Sequence, residues 1–180
     1  AASTPVTDGE RVVAYFGSCG LFAYDPDGKE LWRRELSCAR THSGFGTGTS
    51  PGLADWLVVL VRDLANDGRV IAFDVTSGKT VWQKPRPTVA TGYSTPCVWD
   101  GGKGKELVVA GPLRLTGYDL KSGEQRWSYE GISAMPCASP VADSGLLLYA
   151  GGLSGGSEAP TPSFDDLLKK ADADKDGALT

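Results

Sequence analysis

The sequence is poor in the residues on which many enzyme sites depend. Its 180 residues include one histidine, His42, and one methionine. Hydrolysis by a serine or cysteine nucleophile needs a histidine base and a further group that orients it. His42 has no evident orienting partner in the sequence, so we expect no hydrolase chemistry.

The cysteines also lack the spacing of a familiar site. The four of them, at positions 19, 38, 97 and 137, form neither a Cys-x-x-Cys zinc motif nor an adjacent pair. They are either isolated thiols packed within the fold, which we favour, or they include a disulfide between Cys97 and Cys137. The sequence does not give the distance that this bond requires, so both alternatives stay open.

Long apolar segments and a basic surface are missing as well. No stretch approaches the roughly 20 apolar residues that span a bilayer. The chain does not begin with a charged and then apolar export signal, so we expect any such signal to lie upstream of Ala1. The net charge is −4, most of it in the last two dozen residues, and the rest is nearly balanced. Binding to nucleic acid regardless of sequence needs a stripe of basic residues, and the charge balance gives no sign of one, so we expect no nucleic-acid partner.

What the sequence does contain is a motif of about a dozen residues that is repeated three times. The copies are LFAYDPDGKELW at 21–32, VIAFDVTSGKTVW at 70–82 and LTGYDLKSGEQRW at 115–127. Each has an apolar run, an aromatic residue followed by Asp, a turn containing Gly, and a second run that ends in Trp. Repetition at this period predicts supersecondary units that bury their apolar faces by stacking.

A second marker gives the period independently. Ser-Pro or Thr-Pro precedes an Asp-containing turn in each unit, with prolines at 5, 51, 96 and 140, which are 46, 45 and 44 residues apart. The apolar runs between turns are short and rich in Val, Leu and aromatic residues, which is typical of strands. Glycines 28, 78 and 123 supply the positive φ of tight hairpin turns.

These signals predict an all-β fold, a partial β-propeller of about three and a half four-stranded antiparallel blades. The first strand of a unit follows its proline. The remaining predicted strands are 11–17, 21–25 and 30–36 in the first unit, 57–61, 70–74 and 80–84 in the second, 106–110, 115–119 and 124–129 in the third, and 146–150 in the fourth. We assign residues 1–152 to the blades, 153–163 to a flexible linker rich in Gly, Ser and Pro, and 164–180 to a short helical module.

The repeated pattern resembles the PQQ-like, quinoprotein-type propeller repeat of bacterial extracytoplasmic proteins, over residues 3–152. The residues that carry the resemblance are the Gly that ends the second strand, the aromatic-Asp pair, the Gly turn and the final Trp. In that family the Trp of the outer strand docks onto the neighbouring blade. The resemblance therefore implies blade docking by Trp32, Trp82 and Trp127, and a location in the periplasm or at the cell surface.

The same resemblance implies an alternative function, as a fragment of a PQQ-dependent quinoprotein dehydrogenase. Those enzymes use an adjacent cysteine pair, a metal-holding set of Glu, Asn and Asp, and a complete ring of about eight blades. The first two are not visible here. We therefore expect a non-catalytic scaffold without bound PQQ, and a fold of this kind supports no activity by itself.

The C-terminal segment SFDDLLKKADADKDGALT resembles the first half of an EF-hand. Phe164 and Leu168 would lie on one face of the entering helix. The predicted calcium ligands are Asp172, Asp174, Asp176, the carbonyl of Ala178, and Thr180 directly or through water. Alternate positions of a tightly turned loop direct oxygens inward, and Gly177 permits the sharp bend.

Position 12 of the loop, which normally supplies two carboxylate oxygens, does not occur within the 180 residues. We therefore predict weak calcium binding, with a dissociation constant of roughly 10⁻⁴ M or higher. The module is either inserted between the second and third strands of the fourth blade or appended after it. We favour insertion, because a two-stranded blade would keep a long unpaired edge.

Charged residues also collect in the loops that join second to third strands and that lead from one blade to the next. The candidate ligand-binding face comprises Arg40, His42, Arg62, Asp63, Arg86 and Arg114. Arginines beside carboxylates suit a small anionic ligand or an acidic loop of a partner protein. Ordinary solvated loop charges are the commoner explanation of such residues. The remaining blades of the parent protein are the other expected partners, and a propeller that only spaces other domains is a third hypothesis.

Overall fold

The fold is described from a computed structural model, which covers residues 3–39, 41, 44–64, 67–87 and 90–151. Within these residues the chain forms fourteen β-strands and no helix. The strands make three antiparallel sheets of four strands and one of two, each in chain order. The predicted all-β propeller of four-stranded blades is confirmed.

Each sheet is one blade, numbered along the chain. Blade one contains β1 (Val6–Thr7), β2 (Val12–Phe16), β3 (Gly20–Tyr24) and β4 (Glu30–Glu35). Blade two contains β5 (Gly52–Ala54), β6 (Leu57–Arg62), β7 (Arg69–Asp74) and β8 (Thr80–Pro85). Blade three contains β9 (Cys97–Asp100), β10 (Lys105–Gly111), β11 (Arg114–Asp119) and β12 (Gln125–Glu130). The described part of blade four contains β13 (Val141–Asp143) and β14 (Leu146–Leu148).

The strands agree with the sequence prediction to within a few residues at their ends. The largest difference is β14, which ends at Leu148 although the pattern predicts a strand to residue 150. Its partner β13 is only three residues long, and Val141 pairs with Leu148 at the end of the ladder. The backbone beyond Leu148 therefore has no strand opposite it on that side.

The repeated Asp shapes the turn between the third and fourth strands. The Asp74 carboxylate accepts hydrogen bonds from the backbone N–H and the hydroxyl of Ser77, both at 2.7 Å. Asp119 accepts the equivalent bonds from Ser122 at 2.8 and 3.0 Å. These bonds hold the carboxylate pKa of both aspartates below the ordinary value. The glycines that close the two turns have φ values of +64° and +70°, as predicted.

The core consists of the faces between blades, and blade two is covered on both sides. All six residues of β6 are buried. Val58 and Leu60 face blade one, whereas Val59 and Val61 face blade three. Because side chains alternate along a strand, a strand between two neighbours needs apolar residues at every position. This explains the continuous apolar run LVVLV.

Candidate functional site

The junction between blades one and two is closed by Trp32. This side chain lies opposite Ala23 on its own sheet and is 8% exposed. Its indole N–H donates a 3.0 Å hydrogen bond to the carbonyl of Val75 in blade two. The ring lies so close to Gly78 that a Cβ there would be 2.6 Å from it. Only glycine fits beneath the indole at this turn.

Trp82 makes the same contacts between blades two and three. Its indole N–H donates a 3.0 Å hydrogen bond to the carbonyl of Leu120, and the ring covers Gly123. In both junctions the acceptor is the residue after the repeated Asp, and the glycine follows three residues later. The aromatic-Asp turn of one blade is therefore the receptor for the Trp of the preceding blade.

Trp127 makes a different set of contacts. Its indole N–H donates to a carboxylate oxygen of Glu106, which belongs to the same blade. The ring lies against Gly117 of β11 and packs edge-on against Trp99, with ring centroids 6.3 Å apart. No contact from Trp127 to another blade's turn occurs among the described residues. The receptor turn expected from blade four would lie outside them.

A polar ladder joins the blades at their innermost strands. The backbone N–H of Thr4 donates to the hydroxyl of Ser50 at 2.9 Å, Ser50 N–H to Thr95 at 3.1 Å, and Thr95 N–H to Ser139 at 2.9 Å. These are the residues before the four phase-marking prolines. The sequence pattern revealed their period but not their partners, which lie about 45 residues away. Each junction is thus held at the inner edge by the ladder, and the first two also by a Trp at the outer edge.

The predicted ligand-binding arginines that the structure describes also contact neighbouring blades. Arg62 is 3% exposed, and its guanidinium donates a 2.6 Å hydrogen bond to the carbonyl of Ser37. It also donates to the carboxylate of Asp67 at 3.4 Å. Ser37 follows the last strand of blade one. Arg62 therefore connects blades one and two on the side of the loops that follow the second strands.

Arg86 and Asp63 form a buried ion pair between blades two and three. Both side chains are 1% exposed, and the guanidinium donates to the two carboxylate oxygens at 2.8 and 3.1 Å. Arg86 also donates to the hydroxyl of Tyr118 in blade three and lies over that ring. Burial by itself lowers the pKa of Arg86, but the Asp63 charge outweighs it and the net pKa is raised. The Arg86 guanidinium therefore stays charged in its buried position.

Arg114 is partly exposed and donates to the carbonyl of Pro87 at 3.0 Å. The structure therefore brings Arg62, Asp63, Arg86 and Arg114 to one side of the blades, with the first three buried. Two further residues predicted for this face, Arg40 and His42, lie outside the described residues. The predicted calcium ligands from Asp172 to Thr180 lie outside them too.

The four cysteines are free thiols in the structure. Burial raises the pKa of Cys97 to about 11, so this thiol is protonated at neutral pH. Within the described ranges, no cluster of three or more His, Cys, Asp or Glu side chains has metal-binding geometry. In the same part of the chain, no helix is long and apolar enough to cross a bilayer.

Comparison with known proteins identifies two groups of similar chains. Residues 1–163 match the PQQ_2 family, described as outer membrane protein assembly factor BamB. The chain is 30% identical over 143 residues to methanol dehydrogenase [cytochrome c] subunit 1 of Paracoccus denitrificans, covering 69% of this chain and 22% of the relative. It is 29% identical over 118 residues to quinohemoprotein alcohol dehydrogenase ADH IIB of Pseudomonas putida, covering 61% and 17%.

Solved structures of both groups share the fold. BamB from Moraxella catarrhalis matches with a TM-score of 0.58 at 15% identity, over 79% of this chain and 39% of that one. Quinohemoprotein alcohol dehydrogenase from Comamonas testosteroni also matches with a TM-score of 0.58, at 22% identity, over 73% and 21%. At these identities the matches establish the propeller fold alone. The chain spans about a fifth of the length of the curated relatives.

Proposed function

This chain belongs to the family described as outer membrane protein assembly factor BamB, and from that membership we propose that it is part of a non-catalytic propeller scaffold presenting a protein-binding face. The observation that carries the proposal is the way the blades are fixed to one another. Three successive junctions share the inner polar ladder, and the first two also have a docked Trp. Loops mounted on blades fixed in this way keep a constant relative position, which lowers the entropic cost of binding a partner.

The binding face that we propose is the side that carries the loops after the second strands. Buried Arg62 and Arg86 fix the loop bases, and Arg114 provides a partly exposed positive charge there. Arg40 and His42 belong to the same face in the proposal. An acidic loop of a partner protein is the ligand whose chemistry suits these residues.

Titration of the chain with a short acidic peptide, such as hexaglutamate, tests this face. We expect binding that weakens as salt is added, because surface charges are screened. Arg114→Glu should weaken binding several-fold. Lys103→Glu is the matched control, since it makes the same charge change at an exposed loop on the opposite side. Equal effects of the two substitutions would contradict a localised face.

We also propose that the module at 164–180 binds calcium through Asp172, Asp174 and Asp176, with the Ala178 carbonyl and Thr180. The support is the spacing of oxygen ligands around Gly177, which suits a hard cation. A location outside the cytoplasm fits the description of the BamB family as an outer membrane protein assembly factor.

A second candidate function is supported by the two curated relatives, which are both dehydrogenases at about 30% identity. In that case the chain is a segment of a PQQ-dependent oxidoreductase whose catalytic residues lie on other blades. Reduction of a redox dye by alcohols in the presence of PQQ and calcium separates this hypothesis from the scaffold.

A further inference from the structure

Two of the four cysteines lie in neighbouring segments of blade one. Cys19 belongs to the turn between β2 and β3, and Cys38 lies three residues after the end of β4. The ladder between β3 and β4 continues beyond the ends of the strands. The N–H of Leu36 donates to the carbonyl of Cys19 at 3.3 Å, and the N–H of Ala39 donates to the carbonyl of Gly17 at 3.0 Å. The two segments that carry the cysteines therefore run side by side.

The register of these two hydrogen bonds places the cysteines within the range of a disulfide. Residues 36–39 take three steps along the chain over the length that residues 17–19 cover in two. Neighbouring strands lie about 4.8 Å apart and rise about 3.3 Å per residue, so the Cα atoms of Cys19 and Cys38 are roughly 6.5 Å apart. Disulfides join Cα atoms that are about 4.4–6.8 Å apart.

The side chains of the two cysteines are free to approach each other. Both thiols are exposed, so rotation about χ1 moves each sulfur without moving the backbone. The Cys19 sulfur is 3.4 Å from the hydroxyl oxygen of Ser18. Ser18 and Cys38 in turn line the same cavity, of about 480 Å³, at the junction of blades one and two. The two thiols therefore lie on either side of Ser18.

The pair considered from the sequence, Cys97 with Cys137, is further apart. The N–H of Tyr93 donates to the carbonyl of Pro136 at 3.0 Å, which places Cys137 within one residue of the level of Tyr93. Cys97 follows Tyr93 by four residues. At about 3.3 Å per residue, the Cα atoms of Cys97 and Cys137 are therefore about 10 Å or more apart. A disulfide between them would need movement of the backbone.

We propose that Cys19 and Cys38 form a reversible disulfide that cross-links the turn after β2 to the segment leading into blade two. The oxidant is a disulfide, either of a small thiol or of another protein. The thiolate of one cysteine attacks a sulfur of this disulfide and releases one thiolate. The second cysteine then displaces the other thiolate from the mixed disulfide. In total the two protein thiols lose two protons and two electrons, and the oxidant is reduced to two thiols.

The bond extends a connection that already joins blades one and two. Ser37, the neighbour of Cys38, accepts the hydrogen bond from buried Arg62 of blade two. The disulfide ties the same segment to the turn of blade one, on the side of the proposed protein-binding face. An environment outside the cytoplasm would keep such a bond formed. The inference rests on the arrangement of the thiols, so it is tested without a binding partner and independently of the scaffold function.

Peptide mapping of the 180-residue chain tests the pairing. The reduced chain is equilibrated with a glutathione mixture rich in the oxidised form, its remaining thiols are alkylated, and it is digested with trypsin. Cleavage after Lys and Arg places Cys19 in peptide 12–29 and Cys38 in peptide 35–40. We expect mass spectrometry to find these two peptides joined by a disulfide, with Cys97 and Cys137 alkylated.

Cys38→Ser and Cys137→Ser are matched variants, because each removes one exposed thiol. Cys38→Ser should abolish the cross-link, and its urea midpoint should be the same with and without reductant. Cys137→Ser should keep the cross-link. Its oxidised form should unfold at a urea concentration roughly 1 M higher than its reduced form, because a closed loop of this length restricts the unfolded chain.

Four results would overturn the proposal. Alkylation of all four cysteines after equilibration would show that the pair does not form. A cross-link between Cys97 and Cys137 would refute the register argument. A bond from Cys19 or Cys38 that occurs only between two chains would exclude an internal cross-link. Equal urea midpoints for oxidised and reduced Cys137→Ser would show that the bond does not stabilise the fold.

Discussion

Removal of the Arg86 side chain should destabilise the fold more than any other single loop substitution. Arg86 and Asp63 are both 1% exposed and are joined by two hydrogen bonds. In Arg86→Ala, the Asp63 carboxylate stays buried without its counter-charge, and Tyr118 loses a hydrogen bond. Breaking one partner of a buried pair costs about 3–5 kcal/mol.

Urea unfolding at neutral pH measures this effect. For a small domain with an m-value near 2 kcal/mol per molar urea, a loss of about 4 kcal/mol lowers the midpoint by roughly 2 M. The matched control is the double variant Arg86→Leu, Asp63→Leu, which removes both charges and keeps apolar volume in the junction. It should be clearly more stable than Arg86→Ala, because replacing a buried ion pair with apolar residues is often neutral.

Comparison of the two variants separates the effect of the lost charge from the effect of the lost side-chain volume. If Arg86→Ala lowers the free energy of unfolding by less than about 1 kcal/mol, the pair behaves as an exposed ion pair. That result would contradict the burial of Arg86 and Asp63 at this junction. If the double variant is the less stable of the two, the pair contributes favourably by itself and the desolvation argument fails.

Three further predictions concern the docked Trp residues, the Asp turns and the C-terminal module. Trp82→Ala should lower the free energy of unfolding in urea by about 3–5 kcal/mol, as is usual for a buried aromatic residue. Trp127→Ala should lower it clearly less, because the Trp127 ring is only partly buried. Equal losses would contradict the difference between the two junctions. Asp74 and Asp119 have lowered pKa values in the folded state, so their stabilising effect is present above about pH 4 and is lost as the pH falls through those lower values. Unfolding between pH 7 and pH 3 should therefore show a shallower pH dependence for Asp119→Asn, and an unchanged slope would refute the turn's contribution. Calorimetry should give a calcium dissociation constant of roughly 10⁻⁴ M or higher that Asp172→Asn weakens further, whereas micromolar binding would contradict the ligand set.

The positions of the strands could be predicted from sequence because each blade repeats the same local signals. The Asp turn, the positive-φ glycine and the apolar alternation all act within a dozen residues. Trp32 and Trp82 were predicted at blade junctions from a family resemblance, and the structure gives them the same acceptor. The Ser and Thr residues before the prolines were recognised only as a repeated pattern. Their role as hydrogen-bond acceptors could not be predicted, because their partners are one whole blade away in the sequence.

The sequence failed to indicate burial at the blade junctions. Arg62, Asp63 and Arg86 come directly after predicted strands, in charged segments that are typical of exposed loops. Their burial depends on how closely the next blade approaches, and that distance is a property of packing. The contacts of Trp127 with Gly117 and Glu106 could not be predicted either, because they depend on cross-strand register, which becomes visible only when the strands are paired; docking of Trp127 onto blade four stays a prediction.

Our central proposal is that this propeller is part of a scaffold and not of a quinone enzyme. Its most direct test is addition of PQQ and calcium to the whole protein that carries this chain, followed by absorbance of the bound quinone and dye reduction with alcohols and sugars. We predict no saturable quinone binding and no dye reduction above the protein-free rate. Stoichiometric PQQ binding with substrate-dependent dye reduction would contradict the scaffold and establish a dehydrogenase.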